Sequence, residues 1–221
     1  MADVTALTIN FKTPDGVYDC LNTFRNYNPD VPHLVIDNGG CEKSERRLSK
    51  MQDKELITLI KNAENVGHGL ALNQGIALVE TPYVFLLDSD TRTEKGGFLE
   101  KMLERFEADP LLFAVGWLRK VGKTGVAYRD QDKAPDDALA YIHPYACLMD
   151  VEKFRQLRPF NRSGAPAFHT MYDARERGYH VEDFPIQDYV WHKVAGTRGL
   201  FGGRFQIGTH EPPGKWTRRP I

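Results

Sequence analysis

The stretch Tyr83-Val84-Phe85-Leu86-Leu87-Asp88-Ser89-Asp90-Thr91-Arg92-Thr93-Glu94 joins two things that do not ordinarily meet. Tyr83 to Leu87 has the composition of a strand buried on both faces. It runs straight into two carboxylates separated by one residue. Like charges so placed repel unless solvent screens them or a cation lies between them. Oxygen-rich positions with few protein ligands suit Mg²⁺ or Mn²⁺, above all where substrate phosphates complete the shell. The plainer reading is that Asp88 and Asp90 cap the helix that follows.

Outward from this point, strands and helices alternate. Val4 to Ile9 reads as a strand, then Thr13-Pro14-Asp15-Gly16 as a turn into a helix with Val17, Leu21 and Phe24 on one face. His33 to Asp37 is a second strand ending at Asn38-Gly39-Gly40, a loop signal. Glu42 to Met51 is a charged helix, Glu55 to Ile60 a third strand, Leu70 to Val79 a helix and Gly97 to Ala108 another. Such alternation implies βαβ units and a mostly parallel sheet, and ligands in such sheets bind beyond the carboxyl ends of the strands. Asn10, Asp37, Asn62 to Asn65 and Asp88 fall there.

After Asp109-Pro110 the character changes. Leu111 to Lys120 reads as a strand, Val121 to Tyr128 as a hairpin return, Pro144 to Asp150 as a strand and Phe168 to Arg177 as a helix. His180 to Val190 is extended, and beyond Thr197 the chain is rich in Gly, Arg and Pro. The expected organisation is a single domain over 1–221, with halves at 1–109 and 110–221 and a flexible tail at the end.

Composition narrows the function. With 41% hydrophobic and 27% charged residues the chain has material for a core and is unlike a disordered segment. Lys plus Arg is 29 against 30 for Asp plus Glu, so no general pull toward nucleic acid exists. Three scattered cysteines form no CxxC pair, and free thiols in a reducing compartment are the simplest reading. Met1 to Asn10 does not read as a signal peptide, and no apolar run nears the length of a bilayer span. A cytoplasmic, soluble chain, or one peripheral at a membrane, is expected.

Two longer stretches complete a pattern. Asn65-Val66-Gly67-His68-Gly69-Leu70-Ala71-Leu72-Asn73-Gln74-Gly75-Ile76, followed by Thr81 to Asp90, resembles the GT-A glycosyltransferases of family 2, the rhamnosyltransferase-like branch in particular. Asp37-Asn38-Gly39-Gly40 resembles that family's segment after its second strand, and Thr8-Ile9-Asn10-Phe11 its opening, loosely. The likeness is clear from about residue 4 to 105 and thin to about 197. It implies a GT-A (Rossmann-like) α/β fold with a mixed, mostly parallel sheet flanked by helices. It also implies a metal-dependent, inverting transfer from a nucleotide-diphosphate sugar of UDP or dTDP type to a glycan, lipid or protein acceptor.

The resemblance further implies a nucleotide-sugar-binding half at 1–109, an acceptor-binding half at 110–221, and roles for single residues. Asn10 and Asp37 would contact the nucleotide, and Asn65, Gly67 and Gly69 would let the backbone approach it. His68 would join the substrate-binding set, Asn73 would support Asp88, Asp88 would touch ribose or donor sugar, and Asp90 would hold the metal. Asp188 to Thr197 is similar to the family's late strand, whose histidine ligates the metal. His192 takes that place, and imidazole suits Mn²⁺ better than Mg²⁺. Arg198 and Arg204 would close over the diphosphate, and His210 is a weaker metal candidate.

One element of the family pattern is missing. Counting back from Gly178-Tyr179 to the expected acidic pair lands on Ala165 to His169, which holds no carboxylate. His169 and Asp173, four residues apart on one helix face, are the nearest replacement for the catalytic base, with Asp150 a further candidate. The plainer reading leaves His169 and Asp173 on a solvated face and His192 as a polar strand end. Without a base the chain would be a binding or scaffold domain of the same fold. A nucleotidyltransferase ranks last, because Asn10 to Pro14 is not the Gly-rich basic loop of that class.

Overall fold

The computed structural model describes residues 3–123, 125–161 and 165–193. Its first half follows the alternation: β1 (Val4–Asn10), α1 (Pro14–Tyr27), β2 (His33–Asn38), α2 (Glu42–Gln52), β3 (Thr58–Asn62), α3 (His68–Ala77), β4 (Tyr83–Leu87). There follow β5 (Thr91–Thr93), α4 (Phe98–Ala108), β6 (Leu112–Val121), β7 (Leu139–Asp150), α5 (Val151–Gln156), α6 (Phe168–Glu176), β8 (His180–Asp183), a 3₁₀ turn at Ile186–Asp188 and β9 (Val190–His192).

Seven strands form one sheet in the order β3-β2-β1-β4-β7-β6-β8, and β5 pairs with β9 in a separate ribbon. β1 runs parallel to β2 and β4, and β2 parallel to β3. β7 alone is reversed, antiparallel to both β4 and β6, while β8 lies parallel to β6. This is the expected mixed, mostly parallel sheet of the GT-A fold. Alternation along each strand feeds two apolar layers. Leu7, Leu86 and Phe113 pack with Leu72 and Ile76 of α3, Phe154 of α5 and Met171 of α6. On the other face Ala6, Phe85 and Val115 pack with Phe24 of α1 and with Phe98 and Met102 of α4.

Several boundaries differ from the sequence reading. Residues 55–57 precede β3 because Glu55 adopts φ 56°, a left-handed turn conformation. β7 begins five residues before Pro144 and passes through it; the irregularity between Gly116 and Leu118 on β6 lies opposite. The expected hairpin reduces to one bridge, Val121 to Ala127. Its edge is covered instead by Gln131, whose Oε1 accepts from Lys120 N at 2.6 Å in the manner of a neighbouring strand. α5 and β5 were not expected.

Candidate active site

The parallel strands β1, β2, β3 and β4 all deliver their carboxyl ends to one edge, and the candidate residues collect there. Asn10 Nδ2 donates to Asp37 Oδ1 at 2.7 Å across the β1–β2 pair. Thr13 Oγ1 donates to Asn10 Oδ1 at 2.8 Å and lies 3.2 Å from Ser89 Oγ, so polar contacts tie Asp37 to the Asp88-Ser89-Asp90 turn. Burial raises the pKa of Asp37 and the Asn10 amide opposes that. Gly40 packs against the carboxylate so closely that any side chain there would collide with it.

The loop between β3 and α3 is held by amides. Asn38, fully buried, donates to Asn65 Oδ1 at 3.0 Å and accepts from Asn62 Nδ2 at 3.1 Å and Val66 N at 3.2 Å. Asn65 Oδ1 also accepts from Gly67 N at 2.8 Å. Gly39 closes against this loop with φ +75°, and a Cβ there would stand 2.7 Å from Asn65 N. Asn38 thus positions the segment that carries Asn65, Gly67 and His68. The sequence reading quoted Asn38 but gave it no role.

Asp88 leaves β4 with its backbone N–H on Tyr145 O at 2.8 Å. The two residues after Asp88 then turn the chain into β5, which pairs antiparallel with β9 and sets Thr91 opposite His192. Lys193 N donates to Asp90 O at 3.0 Å and closes that ribbon. The result is a cluster in which Asp88, Asp90 and His192 offer ligand atoms within 4.8 Å of one another. His192 Nε2 stands 3.3 Å from Asp90 Oδ1, and His68 Nε2 stands 3.5 Å from Asp88 Oδ1. Burial raises the pKa of Asp88; His68 opposes the rise, Asp90 adds to it and His192 opposes it. Two carboxylate oxygens from the turn after β4 and an imidazole nitrogen from β9 form a donor set that suits Mn²⁺. Helix capping does not explain the pair, since β5 intervenes and Gly97 occupies the N-cap of α4.

The histidine is fixed by its surroundings. The Tyr145 ring, almost wholly buried, lies flat against His192 with centroids 4.7 Å apart and planes 13° apart. Beneath the turn, Cys20 Sγ donates to Asp88 O at 3.4 Å, and burial pushes that thiol's pKa up to about 12, so it remains neutral. Tyr141 is buried like Tyr145, so both rings belong to the core.

Other candidate residues meet different partners. Asn73 does not serve Asp88: its side chain exchanges hydrogen bonds with the backbone of Phe160, donating to the carbonyl and accepting from the N–H, each at 2.9 Å. Gly69 lies against the Asn161 carbonyl, so its lack of a side chain lets α3 pack on that segment. Asp173 accepts from Arg158 N at 3.0 Å and pairs with Arg177 at 3.5 Å, which commits its carboxylate to neighbours other than His169. His169 is partly buried in the first turn of α6, and burial, aided by Arg158, lowers its pKa. Asp150 caps α5 and pairs with Lys153 at 2.7 Å, a helix-start role. Arg198, Arg204 and His210 lie outside the described residues.

Comparison with known proteins matches this architecture. Residues 5–201 match the family model described as Glycosyl transferase family 2. The chain is 28% identical over 113 residues to a poly-beta-1,6-N-acetyl-D-glucosamine synthase of Staphylococcus aureus strain MSSA476, covering 51% of this chain and 27% of that protein. Against the synthase of strain COL it is 32% identical over 82 residues, or 37% and 20%. The chain therefore spans about a quarter of the length of these relatives. Among solved structures, the mannosyltransferase PcManGT from Pyrobaculum calidifontis in complex with GDP-Man and Mn²⁺ superposes with a TM-score of 0.65 at 19% identity, covering 83% of this chain and 55% of that one. S. aureus TarS 1–349 gives 0.62 at 12% identity, with 87% and 61% covered. With a family model matching most of its length and the GT-A fold behind it, the chain belongs to glycosyltransferase family 2.

Proposed function

We propose that the protein is a metal-dependent, inverting glycosyltransferase that moves a hexosyl or deoxyhexosyl group from a nucleotide-diphosphate sugar to a glycan, lipid or protein hydroxyl. The observation that carries the reading is the convergence of Asp88, Asp90 and His192 within 4.8 Å. Those three side chains would hold Mn²⁺ or Mg²⁺, which when bound neutralises the diphosphate. Asn10 and Asp37 receive the nucleotide: the Asp37 carboxylate accepts from an imide or from ribose hydroxyls, and Asn10 holds it in place. That chemistry suits a UDP or dTDP donor. His68, beside Asp88, faces the same space and would meet donor sugar or phosphate.

In the transfer the acceptor oxygen forms a bond to the anomeric carbon as the bond from that carbon to the phosphate oxygen breaks. The nucleoside diphosphate leaves with the electron pair, and the acceptor proton passes to a base. His169 is our proposal for that base. Burial, aided by Arg158, lowers its pKa and so favours the neutral imidazole that a base requires. A cytoplasmic location, soluble or peripheral at a membrane, fits the three free cysteines, and no helix among the described residues is long and apolar enough to cross a membrane.

A second reading, a nucleotide-sugar-binding domain without turnover, is favoured by one observation: the buried Pro166 and Ala167 stand where an acidic pair is expected. Donor hydrolysis with Mn²⁺ present separates the two. Asp90→Asn should weaken Mn²⁺ binding at least tenfold, read by electron paramagnetic resonance, and abolish donor hydrolysis. Full activity in that variant would falsify the metal-dependent mechanism.

A further inference from the structure

Beyond His192 a row of flat groups continues along β6 and β7. His143 lies with its ring centre 6.2 Å from that of His192. Trp117 stands beside it at 5.8 Å with planes 31° apart, and meets Tyr145 edge-on at 6.0 Å. Next comes Arg119, whose guanidinium carbon sits 5.0 Å from the indole centre. Tyr145 is closed off in the core, whereas Trp117, Arg119 and His143 are partly open. A wall of aromatic rings thus leads from the Asp90 cluster to an arginine.

That arginine is short of partners. Among the described residues no carboxylate lies within ion-pair distance of it. Its Nη2 donates to Tyr128 O at 3.3 Å, and its Nε is buried with no acceptor. Asp183 on the adjoining strand uses Oδ1 for Leu118 N at 2.9 Å. An arginine kept only to fasten the 122–138 loop would be expected to satisfy its inner N–H. A guanidinium held over an indole presents a planar fork of N–H donors, which suits a carboxylate or phosphate.

We propose that Trp117, Arg119 and His143 form the acceptor subsite and that it takes an acceptor carrying an anionic group, phosphate or carboxylate, bound by Arg119. The proposal rests on the glycosyltransferase reading and adds the chemical class of the acceptor to it. The indole and imidazole would lie against the acceptor's apolar face and point its hydroxyl back toward the Asp90 cluster.

The test follows the indole N–H resonance of Trp117, one of three tryptophans, assigned with Trp117→Phe and titrated with glucose 6-phosphate, glucuronate and glucose. Both anionic sugars should move that resonance and glucose should not; the tighter of the two tells phosphate from carboxylate. Arg119→Gln should weaken the anion at least tenfold, and Arg119→Lys, which keeps the charge, should weaken it less. In Asp90→Asn the Trp117 response should persist, because the metal cluster is not needed for it. An equal response to glucose overturns the proposal, as does unchanged affinity in Arg119→Gln. A response lost in Asp90→Asn but kept in Arg119→Gln places the anion on the metal cluster and overturns the subsite while leaving the donor reading intact.

Discussion

His33 shows what one buried side chain does to the whole. It opens β2, is fully enclosed, shares a hydrogen bond of 2.9 Å with Thr8 Oγ1, and leaves Nδ1 without a partner. Burial, with Arg25 adding to it, lowers its pKa to about 3. The unfolded chain has the ordinary value of about 6.5 and so binds the proton first. Stability from this group is therefore complete above about pH 6.5 and is lost as pH falls toward 3, by about 2 kcal/mol at pH 5. His33→Gln should remove that share of the acid sensitivity, read as a smaller difference between urea unfolding at pH 7.5 and pH 5. A variant that loses as much stability as the parent rules the account out. Tyr145 acts by contact instead. Its ring fixes the His192 imidazole, so Tyr145→Leu should weaken Mn²⁺ about tenfold while Tyr145→Phe, which keeps the face, should not; equal affinities in the two would show that the stacking is idle. The acidic doublet was readable in the sequence because charge beside a buried strand is itself anomalous. The stacking was not, since nothing in the spacing of Tyr145 and His192 brings them together.

Among the elements, the shortest ones decide the site. β5 and β9 have three residues each, and their pairing carries His192 from a distant part of the chain to Asp90. The long strands and the amphipathic helices of the first half were legible because burial imposes a period of two or 3.6 over many residues. A three-residue ribbon has no period to read, and Thr91-Arg92-Thr93 looked like the approach to a helix. The second half was less legible for a related reason. Pro144 suggested a strand beginning there, yet β7 carries it in its interior, opposite the irregular stretch of β6. The ribbon can be tested alone. Lys193→Pro removes the 3.0 Å bond to Asp90 O, while His192 already has the extended backbone that a following proline favours. Mn²⁺ affinity should fall several-fold with little change in melting temperature. Unaltered affinity would mean that the cluster holds together without the ribbon.

At the scale of the molecule, β7 is the join. The half that ends near Asp109 supplies β1 to β4, the half that follows supplies β6 to β8, and β7 pairs with β4 on one side and β6 on the other. The edge with Asn10, Asp37 and Asp88 belongs to the first half, whereas His192, Tyr145 and Trp117 come from the second. A donor held between them with a metal would bind only when both halves are folded against each other, which would link binding to folding. At donor concentrations a hundredfold above the dissociation constant this linkage contributes about 2.7 kcal/mol, which for a chain of 221 residues corresponds to a rise in melting temperature of roughly 5–10 °C. The rise should need nucleotide sugar and Mn²⁺ together, differ between UDP, dTDP and GDP donors, and vanish in Asp90→Asn. Differential scanning fluorimetry with each component alone and both combined gives the answer. A full shift from the nucleotide sugar without metal would mean that the acidic pair takes no part in holding the donor.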